Sequence, residues 1–326
     1  MTAARDDARL RRVAFGVGYR MLGTVADAED VAQSAMERLL ASGAEPDNAE
    51  AWLTTVATRI SLDQLRSARR QRELYVGDWL PEPLAEPGFG PAGAHAPAPD
   101  AAGRAELADD LSLAFLVLLE TLTPAERAAF LLHDVFDFSY GETAAALERP
   151  SEAAARQLVS RARSRISGRM PRYEASADEQ RDLVARFIAA CESGDVAGFV
   201  DVLAADVVFT GDGGGRVPPG FAITRPVQGF TAVSRLLASF THRAAEFPVR
   251  LVAATVGGGP GAAIVVDLPE GGGLLGVWGL SVDDGRITAV DGVINPDKLG
   301  HLVPEFGPLV SFPAIIAAIG ASRGED

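Results

Sequence analysis

The stretch from Ala155 to Ile166, ARQLVSRARSRI, carries four arginines and no acidic side chain. Arginine at this density favours polyanion binding, because each guanidinium offers several donors to phosphate oxygens. The whole chain has the opposite character, since its 326 residues have a formal net charge of −14. Residues 151–172 carry six basic side chains and one acidic side chain. The sequence therefore predicts a local basic face on a protein that repels nucleic acid elsewhere and binds free DNA poorly.

These arginines fall on the last of three predicted helices, which lie in TPAERAAFLLHDV, SYGETAAAL and the segment that Ser151 caps. An apolar stripe at helical spacing predicts the buried side of this last helix, formed by Ala155, Leu158, Val159, Ala162 and Ile166. The outward side would then carry Arg156, Gln157, Ser160, Arg161 and Arg163. A short helix, a tight turn and a longer helix with a polar face predict a helix-turn-helix that enters the DNA major groove. The alternative is a solvated arginine-rich face on a helical bundle.

Composition excludes several other classes of protein. No apolar run approaches the roughly 18 residues of a membrane span, and the charged start MTAARDDARLRR lacks the apolar core of a secretory signal. Cys191 is the only cysteine, which excludes an internal disulfide, and four scattered histidines argue against a metal cluster. We therefore expect a cytoplasmic protein that has no metal site, no cofactor and no membrane contact.

The pattern of elements divides the chain into four parts. Helical composition is interrupted by a segment, 76–103, that holds six of the twenty prolines. From about Asp178, two helical segments, near 179–193 and 195–204, precede strand-like runs such as DVVFT and VRLVAATV, with glycine-rich turns between the runs. The predicted parts are two helical domains at 1–75 and 105–172, an extended linker at 76–104, and an α+β domain at 173–326.

Several segments in a fixed order indicate a family. GTVADAEDVAQSAMERLLA is followed by AWLTTVATRISLDQLRSARR and then by the helix-turn-helix that ends in SEAAARQLVSRAR. As a set they resemble extracytoplasmic-function (ECF) RNA polymerase sigma factors, the first two segments their domain 2 and the last their domain 4. The resemblance implies a multidomain protein with two all-α sigma domains, a domain 2 helical bundle and a domain 4 helix-turn-helix.

Three short motifs extend the resemblance to nearly the whole chain: WLPEPL at Trp79–Leu84, DGGGR at Asp212–Arg216 and NPDKL at Asn295–Leu299. With the C-terminal segment they resemble ECF sigma factors that carry a SnoaL-like extension, an α+β SnoaL/NTF2-like cone domain. The tail after residue 303 is not accounted for by this pattern.

The resemblance assigns roles to the helical surfaces. Core RNA polymerase would be bound by the acidic helix through Asp27, Glu29, Asp30, Gln33 and Glu37. An acidic helix can steer a basic partner, although acids also favour a helix N-terminus by themselves. The −10 promoter element would be bound through Arg59, Asp63, Arg66, Arg69 and Arg70. The −35 element would be bound through Ser151, Glu152, Ala154, Arg156, Gln157, Ser160 and Arg161. Trp52 could stack on a base, but its spacing with Leu53 and Val56 favours burial.

The three motifs predict contacts between the linker and the C-terminal domain. The residues concerned are Trp79, Leu80, Pro81, Glu82, Asp212, Arg216, Asn295, Asp297 and Lys298. Arg216 could pair with Glu82, and Lys298, the only lysine of the chain, could hold the linker in the same way. The alternatives are a proline-rich spacer, a hairpin turn and a strand-terminating turn.

A different role for the C-terminal domain would be catalysis. Asp212, His242, Asp267 and Asp291 are candidate acids or bases, but the sequence does not show that any two converge. No tyrosine follows Tyr173, which removes the tyrosine donor that related isomerases use. We expect a promoter-specificity subunit of RNA polymerase whose own C-terminal domain tunes its activity and could take up a small ligand. The alternative is a SnoaL-like enzyme or ligand sensor fused to a DNA-binding regulator that does not bind core polymerase.

Overall fold

The computed structural model describes residues 6–43, 46–88, 112–167, 176–194, 196–218, 223–244, 249–268 and 271–322, without the side chains of 66–73, 177, 241–244 and 318–322. The chain forms two compact units. The first unit joins Met1–Leu74 to Phe115–Met170, and the second joins Tyr75–Ala114 to Pro171–Asp326. The segment that follows Leu74 therefore belongs to the same unit as the C-terminal domain.

Three helices form the first part of the first unit: α1 (Asp7–Leu22), α2 (Val25–Ala41) and α3 (Ala49–Glu73). Gly23 ends α1 in the left-handed conformation, with φ at 76°, and Thr24 caps the next helix at once. This junction turns the chain sharply, because glycine adopts positive φ without steric cost. Gly18 lets the two helices approach closely, since a Cβ there would lie 3.1 Å from the Cα of Ala28.

The second part of this unit contains α4 (Leu113–Glu120), α5 (Pro124–Phe130), a π-helical turn (Leu131–Val135), α6 (Tyr140–Ala146) and α7 (Glu152–Ile166). Capping boxes begin two of these helices, Thr123 with Glu126 and Ser139 with Glu142. The predicted apolar stripe of α7 is buried along its length, with exposures between 0% and 8%. Helices α6 and α7 form the predicted helix-turn-helix, with α7 as its basic helix.

The second unit is built on a mixed sheet whose described strands follow the order β1-β4-β5-β6-β7-β2-β3. The strands are β1 (Ala85–Pro87), β2 (Leu203–Asp212), β3 (Val227–Gln228), β4 (Val249–Val256), β5 (Gly259–Val266), β6 (Gly273–Asp283) and β7 (Arg286–Val293). Neighbours are antiparallel except β2 and β7, which run parallel. The multidomain α and α+β class predicted from the sequence is confirmed.

Two helices, α8 (Ala177–Ser193) and α9 (Phe230–Ala244), cover one face of the sheet. Trp278 lies at the centre of this core, with ring centroids 6.1 Å from Phe187, 5.9 Å from Phe209 and 5.9 Å from Phe240. The predicted second helix near 195–204 is wrong. A short 3-10 turn (Val196–Phe199) occupies part of that segment, and β2 follows.

The tail that the sequence pattern left unexplained is part of the C-terminal domain. It contains α10 (Val303–Phe306) and α11 (Phe312–Ser322). The backbone N–H of Leu274 donates to Pro308 at 2.8 Å, and the N–H of Val310 donates back to Leu274 at 2.9 Å. Ile315 is fully buried in the domain core. The tail therefore pairs with the first residues of β6, which lie outside the pairing of β6 with β7, and it closes the core.

Candidate nucleic-acid interface and linker contacts

The outward side of α7 and its cap present the predicted −35 side chains to solvent. Ser151, Glu152, Arg156, Gln157, Ser160 and Arg161 are exposed, and Ala154 is half-buried. The guanidinium of Arg156 lies 4.8 Å from the ring centroid of Tyr140 on α6. This cation–π contact holds the arginine across the helix-turn-helix and leaves its donors available for a ligand.

A buried carboxylate supports the same helix. The side chain of Glu126 is 4% exposed, and it pairs with Arg161 at 3.2 Å and with Arg165 at 3.3 Å. Burial would raise the pKa of Glu126, but hydrogen bonds from Thr123 and the two guanidinium groups outweigh it and hold the pKa below its usual range. Arg161 is therefore an exposed side chain whose position a buried charge fixes. Sequence spacing does not indicate this pair, because its partners are 35 residues apart.

The predicted −10 residues are only partly covered by the described side chains. The side chains of Arg66, Arg69 and Arg70 lie outside them, and Asp63 is exposed. Arg59 contacts protein: its Nε donates to the carbonyl of Ala146 at 2.8 Å. Trp52 on the same helix is half-buried rather than fully buried.

The predicted polymerase-binding residues lie along α2. Glu29, Asp30, Gln33 and Glu37 are exposed and Asp27 is half-buried. Asp27 accepts a hydrogen bond from the Thr24 hydroxyl at 2.5 Å, so it takes part in the helix cap. Glu29 forms an ion pair with Arg11 of α1, and Gln33 donates to Glu37 at 2.9 Å. Leu40, near the end of the same helix, is 63% exposed and adds an apolar side chain to the helix surface.

The linker motif WLPEPL lies against the C-terminal domain around one buried ion pair. Asp212, at the end of β2, is fully buried and pairs with Lys298 at 2.7 Å. The same carboxylate accepts the Leu80 backbone N–H at 2.8 Å and the Tyr75 hydroxyl at 2.5 Å. Lys298 also donates to the Leu80 carbonyl and lies 4.1 Å from the Trp79 ring centroid and 4.8 Å from that of Tyr75. Residues of all three motifs thus meet at this point together with Tyr75, and we call this set the linker dock (Tyr75, Trp79, Leu80, Asp212 and Lys298).

The glycines of DGGGR give the linker room to approach. Gly214 has a φ of +55°, and a Cβ there would lie 2.2 Å from Nδ2 of Asn295 and 2.8 Å from the Tyr75 hydroxyl oxygen. Asn295 in turn donates to the Tyr75 hydroxyl at 2.7 Å. Burial, followed by the bond to Asp212, raises the pKa of Tyr75 far above its usual value, so the phenol stays protonated as a donor.

The predicted pairing of Arg216 with Glu82 is wrong. Arg216 pairs with Asp297 of NPDKL instead, at 2.8 Å, and both side chains are exposed. The two C-terminal motifs therefore bind each other at the surface and bind the linker through Asp212 and Lys298. Of the remaining linker residues, Pro81 is buried and Glu82 is half-buried.

The linker continues as a strand of the sheet. Ala85–Pro87 pairs antiparallel with β4, and the N–H of Gly257 donates to the Leu84 carbonyl at 2.6 Å. Nε2 of His301 lies 2.8 Å from the Pro83 carbonyl oxygen. The prediction of a purely extended linker therefore missed β1, since the short run AEP has no strand signal of its own.

The candidate catalytic carboxylates do not converge. Asp212 belongs to the linker dock, and Asp267 pairs with Arg250 at the surface at 2.8 Å. Asp291 pairs in register with Gly279, one residue beyond Trp278, so it lies on the opposite face of the sheet from the aromatic core. Burial raises the pKa of Asp291 to about 7. The side chain of His242 lies outside the described residues.

Two further features are absent from the described part of the chain. Its His, Cys, Asp and Glu side chains form no cluster that could hold a metal ion. None of its helices is both long enough and apolar enough to cross a membrane.

Comparison with protein families agrees with this architecture. Residues 8–71 match Sigma-70 region 2, residues 112–166 match Sigma-70 region 4, and residues 184–290 match the SnoaL-like domain. The chain belongs to the ECF RNA polymerase sigma factors, with a SnoaL-like domain as its C-terminal extension. The resemblance predicted from the sequence is thereby confirmed, and the family implies binding to core RNA polymerase and promoter DNA.

Relatives match over most of the chain. It is 37% identical to the ECF RNA polymerase sigma factor SigJ of Mycobacterium tuberculosis, over 89% of this chain and 90% of that protein. It is 32% identical to the probable ECF RNA polymerase sigma factor SigI of the same species, over 89% and 92%. The crystal structure of SigJ superimposes with a TM-score of 0.68 and covers 90% of this chain and 96% of that one. Since these full-length relatives are sigma factors, the chain is not an enzyme.

Proposed function

We propose that this sigma factor directs core RNA polymerase to promoters through three surfaces. The exposed face of α7 binds the −35 element, the face of α3 around Asp63 and the arginines that follow binds the −10 element, and α2 binds polymerase. A protein with this task works in the cytoplasm, where polymerase is. The exposed N-terminal half of α7 is the observation that carries the proposal, because side chains there can reach base edges.

The C-terminal domain tunes this activity through the linker dock. The linker joins the two sigma domains that carry the −10 and −35 surfaces. The dock holds the first residues of this linker against the C-terminal domain. The buried pair of Lys298 with Asp212 supports this role, because an exposed spacer would need no buried charge. The rings of Phe187 and Phe209 pack against Trp278 in the core of this domain, which argues against a small-ligand pocket there.

Run-off transcription with purified core polymerase tests the proposal, on a promoter chosen from transcripts that rise when the protein is overexpressed. Arg156→Ala should weaken promoter binding by about 1–3 kcal/mol and relax the sequence preference at one −35 position. Arg186→Ala, on α8, is the matched control for the loss of one exposed arginine. Full transcription by Arg156→Ala at limiting protein would show that α7 does not bind the −35 element.

The polymerase surface needs a separate measurement. Asp30→Arg should reduce affinity for core polymerase and leave the melting temperature nearly unchanged, because one charge reversal on an exposed helix costs only a few tenths of a kcal/mol, about 0.5 or less. A variant that competes for core polymerase as well as the unmodified chain would show that α2 has no part in binding.

A further inference from the structure

The four arginines of α7 differ in the kind of partner that they have. Three of them form ion pairs with carboxylates of the same domain: Arg161 and Arg165 with Glu126, and Arg163 with Asp134. The guanidinium of Arg156 instead lies over the ring of Tyr140, 4.8 Å from the ring centroid. Among the described residues, Arg156 thus has an aromatic partner and no ion pair, so its full charge is available to DNA.

Arg156 also lies where the second helix of a helix-turn-helix reads bases. It is close to the start of α7 (Glu152–Ile166), and the three paired arginines come later in the helix. Residues near the N-terminus of such a helix contact base edges in the major groove. Arginine reads guanine through two donors that lie in one plane, so the guanidinium must have the correct orientation. A residue that fixes the orientation of Arg156 therefore affects the sequence preference.

The backbone and one face of Tyr140 are held by neighbouring residues. Tyr140 is the first residue of α6, directly after a capping box. In this box the N–H of Ser139 donates to Glu142 at 2.8 Å, and the N–H of Glu142 donates to the Ser139 hydroxyl at 3.2 Å. The ring of His133 stacks on that of Tyr140, with centroids 4.0 Å apart and planes 26° from parallel. The capping box therefore fixes where the tyrosine side chain begins, and the stack restricts its rotation.

The hydroxyl of the same tyrosine lies beside a second arginine. Nε of Arg163 donates to Asp134 at 3.1 Å. The pKa of Arg163 is raised, mainly by this bond and in smaller part by the Tyr140 hydroxyl. The hydroxyl is therefore next to a guanidinium that a carboxylate already holds. Because its backbone, its ring and its hydroxyl are all in contact with fixed groups, Tyr140 is a rigid platform for Arg156.

A guanidinium that lies over a ring can bind a base at the same time. The N–H donors of arginine lie in the plane of the guanidinium, whereas the ring attracts its face. Arg156 is exposed, so its donors are open to a base edge. Contact with the ring also restricts the rotamers of a long side chain, which lowers the ordering cost of DNA binding. The ring therefore supports base reading and does not compete with it.

We infer that Tyr140 is a positioning residue for −35 recognition, whose ring holds Arg156 in the orientation that reads one base pair. This inference rests on the proposed function, in which α7 binds the −35 element. Tyr140 acts through Arg156, so the sequence preference at that base pair depends on the electrons of the ring as well as on the arginine.

The test uses holoenzyme assembled from the full chain and core polymerase, and it measures binding to promoters in which each −35 base pair is replaced in turn. Arg156→Ala identifies the base pair that Arg156 reads. Tyr140→Phe keeps the ring and loses only the hydroxyl. Phenylalanines with one, two and three ring fluorines at position 140 withdraw electrons from the ring at nearly constant shape, so packing is retained. Phe138→Leu removes a half-buried ring from the same loop and is the matched control.

Tyr140→Phe should discriminate between base pairs as the unmodified chain does. Discrimination at the base pair read by Arg156 should then fall with each fluorine, by about two- to fivefold in all, which corresponds to a cation–π contact of about 0.5–1 kcal/mol at an exposed site. In an Arg156→Ala background the same fluorination should have no effect, because the cation is gone. Phe138→Leu should leave discrimination unchanged.

Three results would overturn the inference. If Arg156→Ala loses discrimination but fluorination leaves it unchanged, the ring has no role. Tighter promoter binding on fluorination would show that Arg156 leaves the ring when it binds DNA. An equal loss in Phe138→Leu would mean that any loosening of this loop has the same effect.

Failure of the proposed function gives a different result. Arg156→Ala would then bind every promoter of the set as the unmodified chain does, and the inference about Tyr140 would fall with it. A loss in Arg156→Ala without a loss on fluorination refutes the inference alone and leaves α7 as the −35 surface.

Discussion

Replacing Lys298 with methionine should release the linker from the C-terminal domain. Methionine approximates the length and volume of lysine, so the change removes the charge and its donors more than the packing. It leaves Asp212, which is fully buried, without its cation. The Leu80 carbonyl loses a donor at the same time.

The size of the effect follows from burial. The Lys298 and Asp212 side chains are 7% and 0% exposed, and removing one partner of a buried ion pair costs about 3–5 kcal/mol. A loss of about 3 kcal/mol corresponds to a factor of about 150 in the docking equilibrium. The exposed pair of Arg216 with Asp297 gives the matched control, because Asp297→Asn should cost at most about 1 kcal/mol.

Amide hydrogen exchange measures directly whether the linker is docked. The N–H of Leu80 donates to Asp212 and the N–H of Gly257 donates to the Leu84 carbonyl, so both amides are protected only while the linker is docked. Both should exchange faster in Lys298→Met, by about two orders of magnitude, and change little in Asp297→Asn. Adding Asp212→Asn to Lys298→Met should restore part of the protection, because it removes the uncompensated charge.

Exchange of Leu80 and Gly257 at the same rate in Lys298→Met and in Asp297→Asn would refute this reasoning. The linker would then be held by strand pairing and apolar contact, and the buried pair would be a packing feature. If the variant loses protection but transcribes like the unmodified chain at matched protein levels, the dock exists and has no regulatory role.

Three further outcomes are expected. Because burial raises the pKa of Asp291 to about 7, the folded protein keeps a proton on this carboxyl that the unfolded chain releases, so stability falls as pH rises from about 4 to about 7. Asp291→Asn should therefore raise the melting temperature at pH 8 and not at pH 4. An equal change at both pH values would show that the carboxyl does not titrate in this range. Ile315→Ala, in the buried part of the tail, should reduce the free energy of unfolding by about 2–4 kcal/mol, whereas Ile316→Ala, at 47% exposure, should change it little; equal losses in denaturant unfolding would argue against a packed tail. Gly214→Ala should speed exchange at the linker dock because its Cβ has no room, whereas Gly285→Ala, at a φ of +69° in open space, should not; equal exchange would mean that only backbone strain matters.

Docking of the linker is favoured because the linker and the C-terminal domain belong to the same chain. Contacts within one chain benefit from a high effective concentration, so docking needs less intrinsic affinity than a separate regulatory protein would. The prolines of WLPEPL also reduce the conformational freedom that docking removes. Docking within one chain can therefore be stable enough to order the linker, and a large partner such as polymerase can still displace the linker from the dock.

The sequence by itself determined the elements whose causes are local. The burial of Ala155, Leu158, Val159, Ala162 and Ile166 follows from helical spacing. The start of α7 directly after its cap, Ser151, follows from capping chemistry. Each of these depends on interactions within about one or two helical turns, which the order of residues specifies directly.

Only the tertiary structure decided which side chains meet. The sequence suggested Glu82 as the partner of Arg216, and the packing of the C-terminal domain places Asp297 beside it. Arg59 is a predicted DNA contact, and the structure shows that its guanidinium also reaches a helix end 86 residues away, where it caps α6. Partners so distant in sequence leave no periodic signal, since their meeting depends on how whole helices and strands pack.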